Sequence, residues 1–362
     1  MRIRDLWILP LCLLISGLFA ETFPVPRGDY APRHYTAMQP IDEIVIDGSL
    51  SEASWQKAAW TEDLVDIEGD FKPAPFHRTR VKMLWDSSAL YFAAVLEEPQ
   101  IWAKLTERDA VIFHDNDFEI FLDPDGDTHD YYELELNALG TLWDLLLIKP
   151  YRDRRQVAVN AWDIRTIDYA IGIEGSLNDP SDTDSLWCVE LKLPLSFLAE
   201  LANMPIPPND GDFWRLNFSR VQWDTQIVNG EYHKIPGKPE YNWVWSPQGL
   251  IAMHYPERWG YLFFSSSPAG SPVASGSYQI PAREELREAL RQIYYKQKQY
   301  FMDHGHYARS LRKLKTEPIY WQGKRLRLRY ERSSAGYLIT SPAAPNLPSY
   351  HIREDGLIWP RE

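Results

Sequence analysis

Phe113-His114-Asp115-Asn116-Asp117-Phe118-Glu119-Ile120-Phe121-Leu122-Asp123-Pro124-Asp125-Gly126-Asp127 sets an alternating segment between two acidic turns. In an extended chain Phe118, Ile120 and Leu122 fall on one side and Glu119 and Phe121 on the other. That period marks a strand with one face turned to a core. Seven side chains carrying oxygen lie within the thirteen residues Asp115 to Asp127. Carboxylates at this density repel one another unless something positive or hydrogen-bonding sits among them. Two kinds of partner fit: a hard cation such as Ca²⁺, or the hydroxyls of a sugar.

The same alternation recurs on both sides of this stretch. Tyr132, Leu134 and Leu136 oppose Glu133, Glu135 and Asn137; Trp187, Val189, Leu191 and Leu193 oppose Glu190 and Lys192. Trp214, Leu216 and Phe218 oppose Arg215, Asn217 and Ser219, and Val81 and Met83 begin a further strand. Asp47-Gly48, Asp125-Gly126 and Asp210-Gly211 supply turns. Many short strands without interleaved helices predict a mainly β chain, an antiparallel β-sandwich or jelly roll. One short helix is expected from Ser51 to Ala59, capped by Ser51. After a linker rich in Pro, Gly and Ser (266–280), Leu286, Leu290, Ile293, Tyr294, Gln297 and Phe301 repeat at helical spacing. Pro281 suits the start of that helix and Gly305 its end. Strands at 325–330 and 336–340 complete a small C-terminal α+β domain.

The organisation that follows is a leader (1–20), an N-terminal arm (21–40), a sandwich (41–265), the linker, and the tail domain (281–362). The leader rests on two arginines in the first four residues, then the apolar run Leu6 to Phe19, which is too short to span a bilayer. Cleavage after Ala20 implies a secreted or periplasmic protein with no membrane span. Cys12 lies inside the apolar run and marks no lipoprotein. Cys188 alone remains after cleavage, so neither an internal disulfide nor a thiolate metal site is available. Net charge is −13. An acidic body argues against nucleic acid as a partner, because phosphate binding needs cationic surface.

Polar faces flanked by aromatic rings suit a saccharide. Carboxylates and amides bond hydroxyl pairs, and rings stack on the C–H face of a pyranose. Arg215 and Asn217 are expected to contribute such hydrogen bonds. Trp243 and Trp245, on one side of an extended segment before a Pro-Gly loop, are candidates for an exposed platform. Asp123, Asp125 and Asp127 form half a calcium loop. Leu134 stands where an EF-hand would place its bidentate glutamate. No Gly-x-Ser-x-Gly, phosphate loop or His-Glu-x-x-His is present.

The ordered motifs Ile46-Asp47-Gly48 to Trp55, Val81 to Asp86, Asp115 to Asp123, Trp187 to Pro194, Trp214 to Arg220 and Arg258 to Leu262 resemble the family 9 carbohydrate-binding modules over residues 41–265. The resemblance implies a DOMON-like sandwich, a terminal sugar held between two tryptophans, and structural calcium. One clamp position falls near Phe113 and the other near Met253 or His254, neither a tryptophan. Glu119 matches the acidic sugar contact, and Trp243 or Trp245 is a candidate for the missing ring. The segment Leu290 to Leu311 also resembles the place where the helix of type IV pilins enters its globular head. The apolar half-helix that lets pilins assemble is lacking, so no pilus subunit is expected.

The favoured expectation is a secreted, non-catalytic carbohydrate-binding protein that recognises plant-type or other polysaccharides or oligosaccharides in carbohydrate catabolism. Any calcium would be structural. Two alternatives stay open: a haem-binding electron-transfer protein ligated from among Met83, Met253, His254 and His114, and a glycoside hydrolase whose acid pair the sequence does not single out.

Overall fold

The computed structural model describes residues 22–153, 156–199 and 201–361. The expected leader, with Cys12, lies outside the described residues. Among those described, no helix is long and apolar enough to cross a membrane.

The main strands of the body are, in chain order, β1 (His34–Gln39), β2 (Thr79–Trp85), β3 (Ala89–Glu97), β4 (Asp117–Asp123), β5 (Tyr131–Asn137), β6 (Leu142–Leu147), β7 (Asp168–Glu174), β8 (Leu186–Pro194), β9 (Phe213–Gln222), β10 (Tyr241–Val244) and β11 (Gly260–Pro268). They pair in the order β6-β5-β4-β9-β11-β1-β2-β3-β8-β7, with β10 added beside the far end of β9. The strip folds over at β1. That strand runs parallel to β11 along His34 to Ala37, then crosses to the second layer through Met38 opposite Leu84. Both pairings of β1 are parallel, whereas every other pairing named here is antiparallel. The segment read as an arm therefore supplies the strand that joins the two sheets.

Alternation decides what lies between the layers. Phe118, Ile120 and Leu122 of β4, Leu134 and Leu136 of β5, and Trp214, Leu216 and Phe218 of β9 meet Val81, Met83, Phe92, Val189 and Leu191 from the opposite sheet in one buried cluster. Burial of each such side chain is worth about 1.5–3 kcal/mol. The short helix is tighter than expected: α1 spans Ala53–Lys57, and its first amides are capped by the Asp42 carboxylate, which accepts from Ala53 N and Ser54 N, both at 2.9 Å.

The tail begins with α2 (Arg283–His304), which ends at Gly305 in a left-handed conformation with φ 70°, donating its N–H to Phe301 O. After a short antiparallel pair (Tyr320–Trp321 with Lys324–Arg325), the strands β12 (Arg329–Arg332), β13 (Tyr337–Thr340), β14 (Tyr350–Arg353) and β15 (Ile358–Pro360) pair in sequence as an antiparallel sheet. Leu286, Leu290, Ile293 and Tyr294 of α2 pack with Ile339, Ile352 and Ile358, and also with Phe23, Leu250 and Tyr255 of the body. Arg152 crosses this junction. It pairs with Glu257 at 2.8 Å and stacks 4.1 Å from the centre of the Tyr255 ring, while Tyr295 OH donates to Glu257 at 2.7 Å.

Candidate functional site

The same alternation turns a second set of side chains away from the inter-sheet core. Register fixes them in rows across the first sheet. Ser219, Glu119, Glu135 and Trp143 lie opposite one another on four successive strands; Asn217, Phe121, Glu133 and Leu145 form the next row. A polar outer face is ordinarily solvated, yet Glu119, Glu133 and Glu135 are each at most 5% exposed. The segment around Phe113, the turn at Tyr151 and the loop carrying Met253 and His254 wall them in. The result is a cleft of about 280 Å³, with the three glutamates and Phe121 inside and Phe113, Trp143, Tyr151, Glu240, Asn242 and His254 around them. Phe113, Trp143 and His254 are half-buried and Tyr151 is exposed.

The walls are tied to the floor. Phe113 N donates to Glu135 at 3.1 Å, and the Phe113 carbonyl accepts from the Trp223 indole at 2.9 Å. His254 Nδ1 lies 2.9 Å from Tyr131 OH, and its ring meets Tyr151 edge to face with centres 4.5 Å apart. Burial, then the Arg152 charge, lowers the His254 pKa to about 3, so the imidazole is neutral. The glutamates move the other way. Burial pushes Glu119 up to about 7, partly offset by a Ser219 hydrogen bond. Burial, then repulsion from Glu119, pushes Glu133 and Glu135 well above the usual carboxylate range. No lysine or arginine lines the cleft among the described residues. The site therefore offers many acceptors, shared protons and several flat rings, in about the volume of nine waters. That suits a compact polyhydroxylated ring.

Three of the expected site residues, Phe113, Glu119 and His254, come together here. Four do not, and each is a correction with a physical cause. Trp243 and Trp245 do point to one side, but that side is the core. β10 pairs with β9 and extends its inner face, leaving the two indoles 1% and 0% exposed. Trp245 packs 6.0 Å from Phe218, over Gly260, where a Cβ would come within 2.4 Å of the indole. Neither ring is a platform. Asn217 spends both ends of its amide on the segment after β10, donating to Ser246 O at 2.9 Å and accepting from Ser246 N at 2.8 Å. Arg215 is buried beneath the tail junction, stacked 4.1 Å from the centre of the Tyr261 ring and donating to Tyr30 OH at 3.0 Å. Of the haem-ligand candidates, Met83 is sealed between the sheets, Met253 and His254 line the outer-face cleft, and His114 is exposed.

Trp143, Tyr151, Glu133 and Glu135 join the site without having been singled out for it. Trp143 was legible: counting back from the Leu139-Gly140 turn places it opposite Glu135 on the glutamate face. Tyr151 opens a single 3₁₀ turn (Tyr151–Asp153), too short to carry a periodic signal in the sequence. Asp123 ends β4 at the side away from Phe113, Asp125 and Asp127 follow it in the turn, and the oxygens of the three gather within 4.8 Å of one another. Asp123 accepts from Gly126 N and Thr128 N, both at 2.9 Å, and Asp127 accepts from His129 N at 2.7 Å. Burial and the Asp125 charge raise Asp127 to about 7. An all-oxygen set crowded in this way fits a hard cation.

Residues 46–145 match the family model described as carbohydrate family 9 binding domain-like. The matched stretch includes Phe113, Glu119, Glu133, Glu135 and Trp143. No curated protein matches the chain. Among solved structures, a provisionally assigned carbohydrate-binding protein from Bacteroides uniformis aligns with 65% of this chain and 100% of its own at 15% identity, with a TM-score of 0.48. A family 9 carbohydrate-binding module from Caldicellulosiruptor kristjanssonii in complex with cellotriose aligns with 69% of this chain and 100% of its own at 14% identity, TM-score 0.42. The module from that organism in complex with glucose aligns with 67% and 100% at 14% identity, TM-score 0.42.

Proposed function

We propose that the outer-face cleft binds a saccharide and that the protein is a non-catalytic carbohydrate-binding protein. One observation carries the reading: half-exposed rings at Phe113 and Trp143 flank the buried carboxylates Glu119, Glu133 and Glu135, all within the stretch that matches the family model. The rings supply stacking surface, the glutamates accept hydrogen bonds from hydroxyls, and the neutral His254 adds no competing charge. The ligand class proposed is a plant-type polysaccharide or its oligosaccharides. The apolar run Leu6 to Phe19 supports export, and a role in carbohydrate catabolism outside the cytoplasm is part of the proposal. Titration calorimetry with cellotriose and xylotriose tests the reading. Glu119→Gln keeps the shape but lets an amide stand where a carboxylate accepts. It is expected to weaken binding by about 1.5–3 kcal/mol, roughly ten- to a hundredfold. Unchanged affinity in that variant would remove Glu119 from the site.

A second reading, glycoside hydrolysis, has one observation in its favour: Glu119 and Glu135 carry oxygens within 4.8 Å, near the separation of about 5–5.5 Å in retaining enzymes. Release of reducing sugar from xylan or cellulose, abolished by Glu119→Gln, would establish it over simple binding.

The Asp123-Asp125-Asp127 turn is proposed to hold a structural calcium ion. At a hundredfold excess over Kd such binding adds about 2.7 kcal/mol to stability. The melting temperature should rise by about 5 °C in calcium over EDTA. In Asp125→Asn/Asp127→Asn that part of the rise should vanish; an undiminished rise would place the ion elsewhere.

A further inference from the structure

Beside the cleft floor, beneath its lining, lies a group that sugar hydroxyls do not explain. Asp117 stands one step along β4 from Glu119, on the same outward face, and is 0% exposed. Its Oδ1 accepts from Val221 N at 3.0 Å. Its Oδ2 is buried with no hydrogen-bond partner among the described residues. A buried carboxylate oxygen without a partner is costly, because the charge has left water with nothing to replace it. Beside it, Glu119 and Glu135 face each other across β4 and β5, and oxygens of the three residues lie within 4.8 Å of one another. Two oxygens bound to one calcium ion at 2.3–2.6 Å can be no farther apart than about 5 Å. The three carboxylates are thus spaced as ligands of a common ion, and the sheet holds them there. Adjacent strands fix Glu119 and Glu135, and the Val221 amide fixes Asp117.

The geometry points to a divalent-cation site made by Asp117, Glu119 and Glu135 at the floor of the cleft, of the all-oxygen kind that takes calcium. Glu119 and Glu135 also line the cleft, so the ion leaves coordination positions open to hydroxyls of the bound ring. On the saccharide reading above, ligand binding is then calcium-dependent. This site is separate from the Asp123-Asp125-Asp127 turn, where the carboxylates also accept from their own loop amides.

The test uses the full chain, stripped with EDTA, with the turn disabled by Asp125→Asn/Asp127→Asn; the third acidic cluster, Asp109, Asp144 and Asp163, is already bridged by the Arg108 guanidinium. Calorimetric titration with calcium chloride is expected to show one site. Adding Asp117→Asn, which retains the acceptor for Val221 N, should weaken it by roughly a hundredfold, at least the loss seen when a metal's outer partners are removed. Should that variant not fold, Glu135→Gln replaces it with the same expectation. No calcium binding in the turn-disabled chain would overturn the site, as would unchanged binding in a folded Asp117→Asn or Glu135→Gln chain. Cellotriose affinity is then measured in calcium and in EDTA. A fall of at least tenfold in EDTA supports the coupling, and equal affinities overturn it. Calcium bound without any saccharide binding would refute the saccharide reading and leave the cation site standing.

Discussion

Replacing Arg152 by alanine is expected to cost about 3–5 kcal/mol, the loss found when one partner of a buried ion pair is removed. Arg152 and Glu257 have side chains only 5% and 3% exposed. The guanidinium also donates to the His254 carbonyl at 3.2 Å and to Tyr294 OH at 3.1 Å. Removing it strands a carboxylate in the junction between sandwich and tail. Chemical denaturation checks the figure, and a loss under about 1 kcal/mol would mean that the junction is wet or unimportant. Acid should act on the same pair. Burial alone would raise Glu257, but Arg152 and Arg291 outweigh it and hold its carboxyl at about 2. Its unfolded value is about 4.3. A depressed folded pKa gives stability that is fully present above the unfolded value and is lost as pH falls through the folded one. The wild-type melting temperature should therefore drop between about pH 4.5 and pH 2. Glu257→Gln should start lower and show a shallower fall over that range.

Trp143→Ala should remove about 2–4 kcal/mol of saccharide affinity, roughly thirty- to a thousandfold. Trp143 is the largest ring on the cleft wall, held opposite Glu135 by the β5–β6 register. Its Nε1 is buried with no partner among the described residues, so what the indole offers a ligand is its stacking face. Trp143→Phe keeps a smaller aromatic face, and is expected to lose about 1 kcal/mol. Calorimetry with the oligosaccharide that binds wild type best reads both variants. Equal affinities in wild type and Trp143→Ala would take the ring out of the site.

Much of this architecture is legible from residue spacing alone. The strands around Phe118, Leu134, Trp187 and Trp214 form where alternation places them, and the helix stops at Gly305 as its backbone freedom suggests. Periodicity gives the two faces of a strand without saying which face is covered. For that reason Trp243 and Trp245, correctly placed on one side, turn out to be core, and Glu133 and Glu135, equally compatible with a solvated face, turn out to be cleft floor. Arg215 and Asn217 show the same ambiguity: their polar ends are taken by Tyr30 and Ser246, partners far away along the chain. β1 was hidden in the Pro-rich arm, because its burial arises from pairing with β11 more than two hundred residues later.

The central claim is that one cleft, walled by Phe113 and Trp143 above Glu119 and Glu135, is where a saccharide sits. A crystal structure of the full chain grown with cellotriose or xylotriose in calcium tests it most directly. The account predicts a sugar ring against the Trp143 or Phe113 face, with hydroxyls bonded to Glu119 and Glu135. Sugar density on another surface, with the cleft holding only water at saturating ligand, would contradict it.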